Sequence, residues 1–206
     1  TGRIDVGDSL YNTSIGEGAG DAHTTGDSNI AVGYNALTAN TTGGKNTAVG
    51  NDSLSSNTTG GYNTAVGSNA LDATTTTSNN TAVGYNALTD NTGERNTAIG
   101  AGSMDSNSTG NQNTAIGYNA LYTNTTGSSN VAVGENALSL NTTANYNVAV
   151  GDEALEVNTT GATNVGVGFR ALEANTTGTD NVGVGPYALD ANTTANNNTA
   201  VGRSAL

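Results

Sequence analysis

The sequence lacks cysteine and tryptophan, and it has only one phenylalanine, one methionine and one proline in 206 residues. With so few large side chains, the chain has little with which to fill a thick globular core. Without cysteine, it has neither a disulfide framework nor a thiolate metal site. We therefore expect order to come from something other than a bulky core.

Basic residues are also scarce, since five Lys or Arg stand against 17 Asp or Glu and give a formal net charge of −12. A chain of this charge is repelled by nucleic-acid backbones and by anionic membrane surfaces. No apolar run approaches the about 18 residues that a membrane-spanning helix needs. We therefore expect neither nucleic-acid binding nor membrane insertion.

What the sequence has instead is a repeat. The motif Asn-Thr-Ala-Val-Gly and its variants recur with a period of 17 residues, with one contraction to 16 between Asn80 and Asn96. The unit at 46–62 represents the consensus Asn-Thr-Ala-Val-Gly-x-x-Ala-Leu-x-x-Asn-Thr-Thr-Gly-x-x, whose positions we number 1 to 17. Self-similarity at a fixed period predicts a solenoid. We assign residues 1–11 to an irregular, shortened first unit and residues 12–206 to one continuous domain of tandem repeats that ends in mid-unit.

The content of the unit favours strand over helix. Glycine stands at position 5 of every unit beside β-branched residues, and both disfavour a helix. We predict an all-β fold, a β-solenoid or parallel β-roll of about twelve 17-residue coils, roughly 58 Å long at about 4.8 Å per coil. Each coil is expected to hold two short strands, one in Asn-Thr-Ala-Val-Gly and one at the paired Thr of Asn-Thr-Thr-Gly.

The core is expected to be thin. Side chains alternate along a strand, so positions 2 and 4 share a face, and the constant Val or Ile at position 4 predicts that this face points into the coil. Position 9 adds one leucine in nearly every unit. A core this small favours self-association of chains. The predicted core residues are Val32, Val49, Val66, Leu37, Leu54 and Leu71.

Asparagine at position 1 recurs in every unit. In a stack of similar coils these side chains are expected to line up and to satisfy one another's hydrogen bonds. The predicted ladder consists of Asn29, Asn46, Asn63, Asn80, Asn96, Asn113, Asn130, Asn147, Asn164, Asn181 and Asn198.

These repeats resemble known families. The stretches at 96–100 and 113–117, both Asn-Thr-Ala-Ile-Gly, resemble the head repeats of YadA-like trimeric autotransporter adhesins. The longer unit with Asn-Thr-Thr-Gly is similar to arrays in phage-type tail-fibre-domain proteins, and the resemblance covers essentially residues 4–206. It implies a trimeric fibre outside the cell or on a virion.

No catalytic constellation is apparent. The one histidine, His23, replaces the Asn of position 12 in an irregular unit. The glycines at 16, 18 and 20 and the segment 43–47 imitate nucleotide-binding loops, but they lack the strand-to-helix context that such loops require. We predict that the chain is not an enzyme and that it has no cofactor and no metal site.

Acidic residues occupy variable positions and form no repeated oxygen cage of the calcium-loop type, so we interpret them as solvated surface charges. They include Asp52, Glu135, Asp152, Glu153, Glu156, Glu173 and Asp190.

Tyrosine recurs at position 6, as Tyr34, Tyr85 and Tyr118. Aromatic rings on turns either pack against a neighbouring chain or stack on sugars, and both interpretations stay open, with packing preferred.

Asn-x-Thr sequences suit N-glycosylation in a host that performs it, although repetition alone also explains them. The candidate acceptors are Asn40, Asn57, Asn124, Asn141, Asn158, Asn175 and Asn192.

The functional hypothesis is a structural extracellular fibre, filament or adhesin head that gives reach and surface attachment. Its partners would be other copies, as a homotrimer or an end-to-end filament, and a cell-surface glycan or protein receptor. The alternative is an ice-binding or glycan-binding solenoid. Ice binding is suggested by the stacked threonine pairs 41–42, 58–59 and 142–143, although a flat ice face would favour Thr two residues apart.

The two ends of the chain are expected to be uncapped. An open terminal coil presents unpaired strand edges, so we expect the ends at Thr1 and Leu206 to be buried by neighbouring polypeptide.

Overall fold

The computed structural model describes residues 3–6, for which only the backbone is considered, and residues 10–206. Its fold is all-β, with one 13-stranded sheet whose strands lie in chain order. The strands are β1 (Arg3–Val6), β2 (Thr13–Gly16), β3 (Ile30–Val32), β4 (Thr47–Val49), β5 (Thr64–Val66), β6 (Thr81–Val83), β7 (Thr97–Ile99), β8 (Thr114–Ile116), β9 (Val131–Val133), β10 (Val148–Val150), β11 (Val165–Val167), β12 (Val182–Val184) and β13 (Thr199–Val201).

Every strand pair from β2 to β13 is parallel, and each residue faces its equivalent in the next coil. The chain is therefore a parallel β-solenoid of about 11 turns of about 17 residues each, as the period predicted. The 16-residue unit keeps the register, because Thr81 still pairs with Thr97. The residue that this unit lacks is one threonine of the bend, where Asn-Thr-Gly at 91–93 replaces Asn-Thr-Thr-Gly.

The N-terminal segment departs from the solenoid. Strand β1 pairs antiparallel with β2, with Ile4 opposite Ile15 and Val6 opposite Thr13. A shortened copy of the repeat would have paired in parallel, so β1 is not a further coil of the solenoid. Strand β1 covers one edge of β2 and is itself the last strand of the sheet at this end. Residues 1–2 and 7–9, including Thr1, lie outside the described residues.

Each coil contains one strand rather than the two predicted. The paired Thr of Asn-Thr-Thr-Gly form a bend, in which the backbone N–H groups of Thr41 and Thr42 both donate to the carbonyl oxygen of Thr58 (2.9 and 3.1 Å). The side-chain amide of Asn40 closes this bend by donating to the carbonyl oxygen of Gly43 (2.8 Å). A chain that turns this sharply cannot continue as a strand.

The sheet buries the opposite face from the one predicted. Position 3 of each coil, such as Ala48 and Ala65, is fully buried, whereas Val32, Val49 and Val66 at position 4 are only half-buried and lie on the outer face. The prediction that these three valines form the core is therefore wrong. Leu37, Leu54 and Leu71 are fully buried.

The reason is the narrow cross-section of the coil. Leucine at position 9 crosses the interior and reaches the sheet, so that a Cβ added to Gly166 at position 3 would lie 3.3 Å from Cγ of Leu155. Only alanine, serine or glycine fits between the leucine and the strand, and the larger Val and Ile must face outward.

The turn after each strand uses backbone conformations that L-residues seldom adopt. In the unit that begins at Asn29, Gly33 has φ 138°, Asn35 has φ 52° and Leu37 has φ 54°. A leucine at positive φ is uncommon, and here it aims the side chain into the core.

Candidate interaction surfaces of the solenoid

The outward side chains at positions 2 and 4 of β2 to β13 form a continuous surface, which we call the sheet face. Position 2 is Thr, Val or Ile and position 4 is Val or Ile in every coil, so no charged residue lies on this face. The side chains remain partly accessible, since Ile99 and Ile116 are 39% and 38% exposed. An apolar strip that extends along every parallel strand is unusual for an isolated soluble chain and is typical of an interaction surface.

The chemistry of the sheet face changes along the rod. Position 2 is Thr in five successive coils, and then Val in four. The Thr coils place a hydroxyl two residues from a methyl-bearing side chain, which corresponds to about 6.6 Å along the strand and about 4.8 Å between coils. The threonines are Thr47, Thr64, Thr81, Thr97 and Thr114, and the valines are Val131, Val148, Val165 and Val182.

The asparagines of position 1 lie inside the solenoid. The backbone N–H of Asn46 donates to Oδ1 of Asn29 (2.9 Å), and Nδ2 of Asn46 donates to the carbonyl oxygen of Gly60 (2.8 Å). The same pattern recurs from Asn12 to Asn181, with these side chains buried, and ends at Asn198, which is half-buried. These residues tie each coil to the next and are not available to a ligand.

The predicted glycosylation sites belong to a second ladder at position 12. Nδ2 of Asn141 donates to Oδ1 of Asn124 (2.9 Å) and to the carbonyl oxygen of Ala144 (3.2 Å), and equivalent bonds hold Asn192. A glycan on Nδ2 would have to displace these bonds and pass through the core, so glycosylation of the buried six is incompatible with this fold. The six fully buried candidates are Asn40, Asn57, Asn124, Asn141, Asn158 and Asn175, whereas Asn192 is half-buried.

The two threonines of each pair in the bend differ in their contacts. The position 13 hydroxyls of Thr41 and Thr58 donate to the carbonyl oxygens of Thr58 and Thr75, each at 3.0 Å. Their neighbours Thr42 and Thr59 at position 14 are exposed. Only one hydroxyl of each pair therefore faces solvent without a bond to the next coil, which weakens the case for ice binding at this surface.

Three of the predicted surface carboxylates meet around one arginine. Oxygens of Glu153, Glu156 and Glu173 lie within 4.8 Å of one another, and Nε of Arg170 lies 2.5 Å from Glu153 and 3.8 Å from Glu173. Partial burial, followed by repulsion from Glu153 and Glu173, raises the pKa of Glu156, and Arg170 opposes this effect. A cation would have to compete with the guanidinium for these oxygens. The sequence showed these residues only as scattered charges, because Glu153 and Glu156 come from one coil while Arg170 and Glu173 come from the next.

Two of the tyrosines at position 6 border a cleft of about 160 Å³. Tyr85 and Tyr118 are 60% and 55% exposed, and Tyr122 at position 10 lies beside them. Tyr34, the third tyrosine predicted at this position, is exposed elsewhere on the rod. The sequence signal that would have found the cleft is the Ala-Gly pair at 101–102, which replaces the larger residues of positions 6 and 7.

Within the described part of the chain, no helix is long and apolar enough to cross a membrane. Comparison of the chain with protein families, with curated proteins and with solved structures finds no significant match. The similarity of the repeats to adhesin heads and tail fibres therefore stays a prediction.

Proposed function

We propose that the chain is the rod of an extracellular fibre or adhesin head, and that copies associate side by side through the sheet face. The observation that carries this proposal is the uncharged sheet face itself, in a chain of net charge −12. Copies of so acidic a chain repel one another over most orientations, and an uncharged apolar strip offers a surface of close approach with little repulsion.

The repeat makes the sheet face self-complementary. Since each coil presents the same two positions at the same spacing, a second copy matches the first at every coil once one pair of coils is aligned. A strip about 58 Å long and about 10 Å wide offers roughly 600 Å² per copy, close to the about 800 Å² per partner of a stable interface. The flanking rows, which include Tyr34 and Phe169 at position 6, would supply the remainder.

The buried ladders support the role of a rigid spacer. Asn ladders at positions 1 and 12 and the leucines of position 9 repeat with little change, so each coil is fixed to the next by the same contacts. Each added coil lengthens the rod by about 4.8 Å without a new fold, which suits a segment that provides reach.

Analytical ultracentrifugation tests the proposal. The wild-type chain is expected to sediment as a homo-oligomer, with a trimer at three times the 20.3 kDa mass of one chain as the expected species. Val66→Glu with Val83→Glu places charges on the sheet face and is expected to yield folded monomers. Thr59→Glu with Thr76→Glu adds the same charge at position 14 and should leave the oligomer intact. A folded wild-type monomer at all concentrations would contradict the proposal.

A second candidate function is ice binding through the threonine part of the sheet face. The favouring observation is that Thr81 and Val83, like their equivalents in neighbouring coils, lie two residues apart on one outward face in strict register. The two-residue interval is the one that a flat face provides and the bend lacks, and here its second position holds Val or Ile in place of a second Thr. A thermal-hysteresis measurement tests it: activity in a monomeric fraction that is lost in Thr64→Tyr with Thr81→Tyr would support ice binding, and no activity would exclude it.

A further inference from the structure

The row of side chains at position 6 is interrupted in the unit that begins at Asn96. Tyr85 and Tyr118 occupy this position in the coils on either side, whereas Ala101 occupies it between them. The two tyrosines are therefore two coil spacings apart, roughly 9.6 Å. Aromatic rings stack at centroid separations from about 4.5 Å upward, so the gap above Ala101 admits one further ring between the tyrosines.

The residue at position 7 is also small in this coil, which makes the same gap deeper. The flanking coils carry Asn86 and Asn119, but this coil has Gly102, at φ 65°. A Cβ at Gly102 would collide with Oδ1 of Asn119 and would lie 3.6 Å from the ring of Tyr122. The cleft thus results from two small residues in succession, Ala101 and Gly102, and side chains of the flanking coils form its walls.

Tyr85 and Tyr118 do not stack on each other. Among the described residues, Phe169 and Tyr187 form the one aromatic pair in contact, with centroids 5.2 Å apart and perpendicular planes. Tyr85 and Tyr118 have no such partner, and more than half of each side chain is exposed. Both side chains are therefore accessible to a ligand at the border of the cleft.

Polar groups line the rim of the cleft. The negative charge of Asp105 lies close enough to Tyr122 to raise the pKa of its hydroxyl, and burial adds a smaller contribution. The side-chain amide of Asn119 has no hydrogen-bond partner among the described residues. The carboxylate of Asp105 and the side-chain amide of Asn119 line the same cleft, where they are suited to accept and donate hydrogen bonds at one edge of a flat ligand.

We propose that the cleft between Tyr85 and Tyr118 binds one neutral pyranose ring of a glycan. The two tyrosines stack on the C–H faces of the sugar, while Asp105 and Asn119 hydrogen-bond to its hydroxyl groups. The acidic chain and Asp105 disfavour anionic sugars. This inference names the ligand class of the attachment role in the proposed function and rests on that role.

Saturation-transfer NMR with methyl glycosides of glucose, galactose, mannose and N-acetylglucosamine tests the site, with sialyllactose as the anionic comparator. At least one neutral glycoside is expected to show transfer. Ala101→Tyr fills the gap between Tyr85 and Tyr118 and should abolish that signal, and Asp105→Asn should weaken binding by about tenfold, or about 1.4 kcal/mol. Tyr34→Ala removes a position 6 tyrosine outside the cleft and should bind like wild type.

Three results would overturn the proposal: no transfer to any neutral glycoside, equal binding by Ala101→Tyr, or binding of an aromatic peptide without binding of sugar. Circular dichroism verifies that each variant is folded, and Ala101→Tyr is expected to fold because tyrosine occupies position 6 in other coils. Sedimentation of the same samples separates the two proposals. If the wild-type oligomer is intact but binds no sugar, only the proposed sugar site is overturned. If the wild-type chain binds sugar as a monomer, only the proposed assembly is overturned.

Discussion

Nδ2 of Asn57 donates a 2.9 Å hydrogen bond to Oδ1 of Asn40, but Oδ1 of Asn57 is buried without a hydrogen-bond partner among the described residues. The next coil explains this, because it has Thr74 at position 12, and its hydroxyl donates onward to the carbonyl oxygen of Asn91 (3.0 Å). The ladder of position 12 is thus broken once, between Asn57 and Asn91.

Repair of this break should stabilise the protein. In Thr74→Asn the new amide would donate to Oδ1 of Asn57, and we expect a gain of about 1 kcal/mol, measured as a higher urea-unfolding midpoint. The converse variant Asn124→Thr creates a second break and should lower the midpoint by a similar or larger amount. If Thr74→Asn left the midpoint unchanged, the unpaired oxygen would carry no energetic cost.

The orientation of the strands predicts that two adjacent substitutions destabilise the fold to different extents. Ala48→Val inserts two methyl groups beside the position 9 leucine and is expected to destabilise the fold by about 1–3 kcal/mol. Val49→Ala removes methyl groups from the outer face and should cost less than about 1 kcal/mol in the isolated chain. Chemical denaturation at low protein concentration measures both free energies of unfolding. A larger loss of stability in Val49→Ala than in Ala48→Val would indicate that position 4 faces inward.

The acidic cluster predicts a pH dependence. Because the folded protein raises the pKa of Glu156, this carboxyl favours folding most below the ordinary glutamate pKa, and that contribution is lost as pH rises through the raised value. Glu156→Gln should therefore be more stable than wild type at neutral pH, by less than about 1 kcal/mol since the group is half-exposed, and the difference should vanish near pH 4. Glu94→Gln makes the same charge change at an exposed site several coils away from the cluster. An equal gain in both variants would assign the effect to net charge alone.

The period predicted the solenoid because it constrains every coil alike. Glycine at position 5 excluded helix, and leucine at position 9 identified the buried plug, since no other large apolar residue recurs with a position of its own inside the coil. The orientation of the strand was predicted wrongly from the size of Val49 and its equivalents. The signal that indicates the correct face is the constant small residue at position 3, which has to fit beneath the leucine.

Other features depend on neighbouring coils and are hard to see in one unit. The asparagine of position 12 looked like a surface acceptor because Asn-x-Thr is a local motif, whereas its burial depends on amides stacked above and below, as at Asn141. The tyrosine cleft likewise requires Tyr122 and Asp105 from adjacent coils to meet at one gap. The capping strand β1 was missed because its apolar residues imitate the repeat.

Cysteine cross-linking tests the central claim, that copies meet through the sheet face, most directly, since the natural chain has no cysteine. Single substitutions Val32→Cys, Ile99→Cys and Val167→Cys sample both ends and the middle of position 4, and Thr109→Cys on the bend is the control. Disulfides need Cβ atoms about 3.8 Å apart, so oxidation should yield covalent dimers rapidly at the sheet face and slowly at the control. Rapid dimers at all three sites would show parallel rods in register, and rapid dimers at Ile99→Cys alone would show antiparallel rods. Equally slow oxidation at all four sites would contradict the account.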